Sequence, residues 1–237
     1  MKRPMKRLIL LPGWGFTACV WQELLAALSH LGAAFEVQHA STLADPPADF
    51  TAESVLCGWS LGALVALAAA RQRPCAGLVL IAATPRFTQA EDWPHGWPPA
   101  ALADFRQQLN ENPAGLQRRF TALIARGDAQ SKALQRCLPA LYAQPADRQD
   151  RPDADLNAGL EKLVRLDLRP AIEAITVPTL LLHGEHDALI PLSAARWLAE
   201  RLPAAQLAVF STCGHAPLLT QPERCATLID DFLYKQA

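Results

Sequence analysis

The sequence predicts an α/β fold, a mostly parallel sheet of about six strands with helices on both faces and an inserted helical lid. Three observations carry that expectation. Short apolar runs bounded by Gly and Pro recur along the 237 residues, helical patterns lie between them, and the alternation breaks once, between Thr84 and Asn157. Continuous apolar runs mark strands buried on both faces, and strands that alternate with helices specify a parallel sheet.

The strands are expected, in order, at Leu8 to Leu11, Phe35 to Val37, Ser54 to Cys57, Leu78 to Ala82, Thr179 to Leu182 and Leu207 to Phe210. Helical spacing of apolar residues places helices at Trp21 to His30, Leu61 to Gln72, Ser193 to Arg201 and Pro222 to Phe232. The stretch from 84 to 157 has no buried-strand pattern but carries prolines at 85, 94, 98, 99, 113, 139, 145 and 152. Within it Leu102, Phe105 and Leu109 share one helical face, as do Leu116, Phe120, Leu123 and Ile124, so two amphipathic helices are expected over something apolar. The division is therefore a core of 1–83 and 158–237, with 84–157 as a helical lid over the strand ends.

Composition narrows the function. Hydrophobic residues make up 51% and charged residues 19%, enough apolar surface for a sizeable core and too much for disorder. A net charge of −1 gives no general attraction to nucleic acid or to an anionic membrane. No apolar run is long enough to span a bilayer, and the one after the basic start is stopped by Pro12 and Gly13, too short for an export signal. The six cysteines lack C-x-x-C or metal spacing and read as reduced thiols of a cytoplasmic protein.

The strongest chemical signal is Gly58-Trp59-Ser60-Leu61-Gly62, set between a strand and a helix. A nucleophile on so sharp a turn needs small residues at both flanks, because its backbone is strained and its neighbours pass close to the sheet. The alternative is a glycine-rich turn in which Ser60 merely caps the next helix. A serine hydroxyl attacks only when a base takes its proton, and the histidine placed for that, after the last strand, is His215 in Gly214-His215-Ala216-Pro217. The acid that orients such a base comes between the two in chain order, which selects Asp187, with Glu185 and Asp92 as rivals. His30, His39 and His95 have bland explanations, and His183 with His186, read as lying in a loop, lack the third ligand a metal needs. An oxyanion needs two aimed donors, expected from the backbone N–H of Leu61 and of Trp14 in the loop Pro12-Gly13-Trp14-Gly15.

With these residues in place, the sequence resembles the α/β-hydrolase family, and within it the methyl ester esterases that act on pimeloyl chains in biotin synthesis. The likeness spans most of the chain, including Glu91-Asp92-Trp93-Pro94, Phe105-Arg106-Gln107-Gln108-Leu109, Arg119-Phe120, Gly159-Leu160 and Asp167-Leu168-Arg169. Several of these lie in the lid, where unrelated hydrolases share little. The resemblance implies Ser60, Asp187 and His215 as a triad, Trp14 and Leu61 at the oxyanion hole, and Phe120, Thr121, Ala122, Leu123 and Ile124 against the acyl chain. It also implies no cofactor, and as substrate a methyl-pimeloyl chain on acyl carrier protein, alongside small esters.

Between 106 and 136, six basic side chains stand against Glu111 and Asp128, an excess suited to an acidic carrier, with Arg118, Arg119 and Arg126 as the expected contacts. A solvated helix face is the other reading of such a run. The chain departs from the family in having Pro12-Gly13 where His-Gly is usual and a short 40–53 connection, and its start implies six strands without two further ones. Two other functions stay open: a broad short-chain carboxylesterase or thioesterase on the same scaffold, and a non-catalytic binding protein of this fold.

Overall fold

The computed structural model describes residues 6–32, 35–39, 50–142 and 153–235. Within them six strands form one sheet: β1 (Lys6–Leu11), β2 (Phe35–His39), β3 (Ser54–Trp59), β4 (Gly77–Ile81), β5 (Thr179–Gly184) and β6 (Ala205–Phe210). Their order is β2-β1-β3-β4-β5-β6 and every pairing is parallel. The six expected strands are all present, several one or two residues longer than the apolar runs alone indicate.

Burial explains why these segments are strands. Every residue of β3, β4 and β5 is buried, whereas β6, at one edge, has half-exposed residues along most of its length and Glu36 and Val37 of β2, at the other edge, are exposed. Central strands covered on both faces need unbroken apolar sequence; edge strands do not. Removing one such Leu or Ile side chain from water is worth about 1.5–3 kcal/mol, so the sheet centre dominates the core.

Helix α1 (Gln22–His30) joins β1 to β2, and α2 (Leu61–Gln72) joins β3 to β4 in the opposite direction along the sheet. Right-handed crossovers that run in opposite directions put their helices on opposite faces. Helix α7 (Leu192–Arg201), between β5 and β6, shares the α2 face, and the C-terminal α9 (Pro222–Lys235) packs beside α1. The reversal lies between β1 and β3, and the crevice at their carboxyl ends is where such sheets bind ligands.

Among the described residues four α-helices lie between β4 and β5, α3 (Pro99–Glu111), α4 (Pro113–Ala125), α5 (Ser131–Leu141) and α6 (Asp153–Arg165). The two apolar stripes read from the sequence are α3 and α4, with Leu102, Phe105 and Leu109 buried on one and Leu116, Phe120 and Ile124 on the other. Residue 157 falls inside α6, which runs on to Arg165. The insertion leaves and re-enters the core through one narrow neck: Leu168 N–H donates to Pro85 C=O at 2.9 Å, and Arg86 pairs with Asp167 as an isolated bridge. Asp167 takes Arg86 at 2.5 Å and Arg169 through both its oxygens, which lowers its carboxyl to about 2. Residues 143–152 of the insertion and 40–49 of the short connection lie outside the described residues.

Candidate active site

Ser60 stands between β3 and α2 with φ 58° and ψ −117°, left-handed geometry that a side chain adopts only under strain. Its own N–H donates to Ile81 C=O at 2.9 Å, anchoring the turn to β4. A Cβ on Gly62 would come within 1.9 Å of Leu11 C=O, and one on Gly58 within 2.4 Å of the Gly62 backbone, so the turn closes only with glycine at both flanks. The hydroxyl makes no capping bond to α2, contrary to the simple helix-cap reading of this serine.

His215 lies in the turn between β6 and the short helix α8 (Pro217–Thr220). Its Nδ1 is 2.7 Å from Asp187 Oδ2, and both side chains are almost wholly buried. Asp187 Oδ1 accepts from Leu189 N–H at 2.8 Å and Ile190 N–H at 2.9 Å. Burial pushes its carboxyl up, but His215 beside and bonded to it, His183 and the Ile190 N–H outweigh that, and Asp187 lies below the usual carboxylate range. An ionised carboxylate only accepts, so His215 donates to it from Nδ1 and leaves Nε2 as the ring nitrogen not engaged by Asp187. That Nε2 is buried and has no hydrogen-bond partner. The carbonyl of His215 accepts from Trp59 Nε1 at 2.9 Å, tying the imidazole to the residue preceding Ser60.

Of the candidate acids, Asp187 meets His215. Asp92 instead pairs with Arg169 at 3.1 Å, and the Glu185 side chain is exposed. His183 corrects the loop reading: it is a strand residue of β5, because the chain stays paired with β6 as far as Gly184 and Phe210. Its Nε2 donates to Ile190 C=O at 2.9 Å and lies 3.6 Å from Asp187 Oδ2, so it braces the acid's turn. Burial holds its pKa down, against the pull of Asp187 and the Ile190 carbonyl. Among the described residues no group of three His, Cys, Asp or Glu is arranged to hold a metal.

Leu61 opens α2, and a first-turn N–H has no acceptor within its own helix. Trp14, 2% exposed, follows β1, and its indole Nε1 donates to Leu156 C=O of α6 at 2.8 Å. Helix α6 lies directly on both residues: a Cβ on Gly159 would meet Trp14 Cδ1 at 2.6 Å and Leu61 Cδ2 at 3.1 Å.

The stretch Phe120 to Ile124 is helical and therefore splits between faces. Phe120 sits edge-on to Trp14 at 5.1 Å and Ile124 is fully buried, whereas Ala122 is exposed and Leu123 half-buried. The Thr121 hydroxyl donates back to Gln117 and Arg118 carbonyls of its own helix. Phe120, Trp14, Trp97 and Leu160 line an apolar cavity of about 20 Å³, while Ala122 and Leu123 line an open surface groove of about 510 Å³ with Arg119, Arg126, Ser131 and Gln135. Arg119 pairs with Asp104 and lies over the Phe105 ring, and Arg106 pairs with Glu161 of α6, so part of the expected basic excess is matched locally. Arg118 and Arg126 are exposed and form no ion pair among the described residues.

The strained Ser60 turn, the buried Asp187–His215 pair and the parallel sheet together point to a class. Residues 52–222 match the alpha/beta hydrolase fold family, and the chain belongs to it. At the level of particular proteins, it is 42% identical to the pimeloyl-[acyl-carrier protein] methyl ester esterase of Aromatoleum aromaticum, over 98% of both chains. It is 33% identical to the protein of that name from Nitrosomonas europaea, over 94% of both. Among solved structures, an esterase from Exiguobacterium antarcticum superposes with a TM-score of 0.80 at 21% identity, covering 96% of this chain and 92% of its own. That likeness concerns the fold.

Proposed function

We propose that the chain is a serine carboxylesterase that hydrolyses the methyl ester of pimeloyl-acyl-carrier protein to pimeloyl-acyl-carrier protein and methanol, a step of biotin synthesis. The observation that carries the chemistry is His215, held through Nδ1 by Asp187 and presenting a buried, unpartnered Nε2. A match at 42% identity that extends over 98% of both chains, and so over the insertion as well as the core, supports the substrate.

In this reading His215 Nε2 takes the Ser60 proton as Oγ attacks the ester carbonyl. The N–H groups of Leu61 and Trp14 receive the oxyanion. Collapse expels methanol, which leaves with the proton held by His215, and the acyl chain remains on Ser60. Water, deprotonated by the same imidazole, then releases the free carboxylate. Asp187 stays ionised throughout and stabilises the imidazolium. The inserted helices act as a lid in which Trp14, Phe120, Thr121 and Ile124 bound the acyl side. Ala122, Leu123, Arg118, Arg119 and Arg126 face the acidic carrier.

The test is methanol release from methyl-pimeloyl-carrier protein, run beside a p-nitrophenyl ester, with Ser60→Ala as control. Ser60-dependent release that outpaces the small ester is expected. Small-ester cleavage without methanol would leave a broad esterase, release of the carrier thiol a thioesterase, and failure of Ser60 to react with a fluorophosphonate a non-catalytic protein.

A further inference from the structure

We propose that Asp128, a lid residue, is a positioning residue for His215, acting through the peptide that precedes the imidazole; the inference rests on His215 being the base. Asp128 lies in the connection between α4 and α5 and is 6% exposed. Its two oxygens serve different parts of the chain. Oδ1 accepts from Gln130 N–H at 2.7 Å, at the start of α5, whereas Oδ2 accepts from Gly214 N–H at 2.9 Å and the Thr220 hydroxyl at 3.2 Å. Gly214 and Thr220 bracket His215, one just before it and the other at the end of α8.

The contact is part of a seam. Ala129 N–H donates to Thr212 C=O at 2.9 Å, and Gln130 Nε2 donates to Thr220 C=O at 2.8 Å. At Gly214 a Cβ would lie 2.9 Å from Arg126 C=O, so the histidine turn is pressed on the end of α4 with no room for a side chain. Asp187 fixes the imidazole ring but not the backbone that bears it. Asp128 and Trp59 hold that backbone from two sides, one at the Gly214 N–H and one at the His215 carbonyl.

The carboxylate is needed because every one of its partners donates. An Asn at 128 must turn its NH₂ toward one of them, and an Ala leaves the buried Gly214 N–H unsatisfied. An imidazole displaced by about an ångström costs up to roughly 100-fold in turnover, so a kcat loss on the order of 10- to 100-fold is expected for Asp128→Ala and a smaller one for Asp128→Asn.

The experiment measures kcat and KM for a p-nitrophenyl ester and for methyl-pimeloyl-carrier protein, normalised to Ser60 sites titrated to the end point with a fluorophosphonate, alongside melting temperature. Support is a graded kcat loss, Ala greater than Asn, on both substrates with small-ester KM within about twofold of the parent. Wild-type kcat per titrated site, with only a lower melting temperature, would reduce Asp128 to a structural tie and overturn the proposal. Should the Ala variant fail to fold, the Asn variant decides by the same criterion. His215→Ala is measured in parallel: full turnover there would remove the base assignment itself, a failure separate from that of Asp128.

Discussion

The sheet and the inserted helices share one apolar core but differ in their polar ties. The three central strands are covered on both faces and almost uniformly apolar, with Ser54, Thr179 and His183 as their buried polar members. The insertion is joined by aromatic edges, ion pairs and indole N–H bonds: Trp14 to Leu156 C=O, Trp97 to Leu189 C=O, Arg106 to Glu161 and Arg119 to Asp104. Apolar burial is non-directional and strong, so it fixes a scaffold. Directional polar ties can be exchanged one at a time, so the inserted segment can vary while the scaffold stays fixed.

Breaking the scaffold's part of the site gives the largest effect. Asp187→Asn leaves the packing but spoils the histidine tautomer, and kcat falls by roughly 10³- to 10⁴-fold with folding intact. A loss under tenfold in steady-state kinetics would show that another group orients His215. On the insertion side, charge reversal of Arg118 and Arg126 lowers kcat/KM on the carrier substrate by about tenfold and leaves the p-nitrophenyl ester unchanged, as expected when exposed charges steer a partner. Equal losses on both substrates would place these arginines in folding instead of docking.

The smallest effect is at the neck. Asp167→Asn removes the charge and replaces one of the two oxygens that accept from Arg86 and Arg169 with a donor, and lowers stability by about 1–2 kcal/mol, measured by urea unfolding. The sign with pH follows from the carboxyl's folded value of about 2, below its ordinary 3.8. The contribution is present above the unfolded value and is lost as pH falls through 3.8 toward 2. The parent and the Asn variant should therefore converge in stability at the acid end of that window.

Much of the scaffold was legible in the sequence because burial on both faces leaves unbroken apolar runs. The Ser60 turn was legible too, since its two glycines flank the serine in one pentapeptide, although only Gly58 is forced from within the turn and Gly62 is forced by the Leu11 carbonyl of β1. His183 was misread because polar residues follow the apolar run of β5, although the backbone stays paired through Gly184. Helix α6 was missed as a unit because it crosses the boundary drawn at 157, and its packing on Trp14 depends on contacts about 145 positions away in the chain. Asp128 was counted only as a charge. Its role arises from a bond to Gly214 across 86 positions, which no local pattern records.

The neck at Pro85, Arg86, Asp167 and Leu168 has a consequence for how such a protein can be rebuilt. Two points some 80 residues apart in sequence leave the core as hydrogen-bonded neighbours. A segment with adjacent ends can be swapped as a cassette without disturbing strand register. Here the cassette is not free of the machinery beneath it, because Asp128 also grips the turn before His215. A transplanted insertion would have to bring its own carboxylate to that turn, so exchanging the inserted segment and keeping the His215 turn in place are separate engineering problems in this chain.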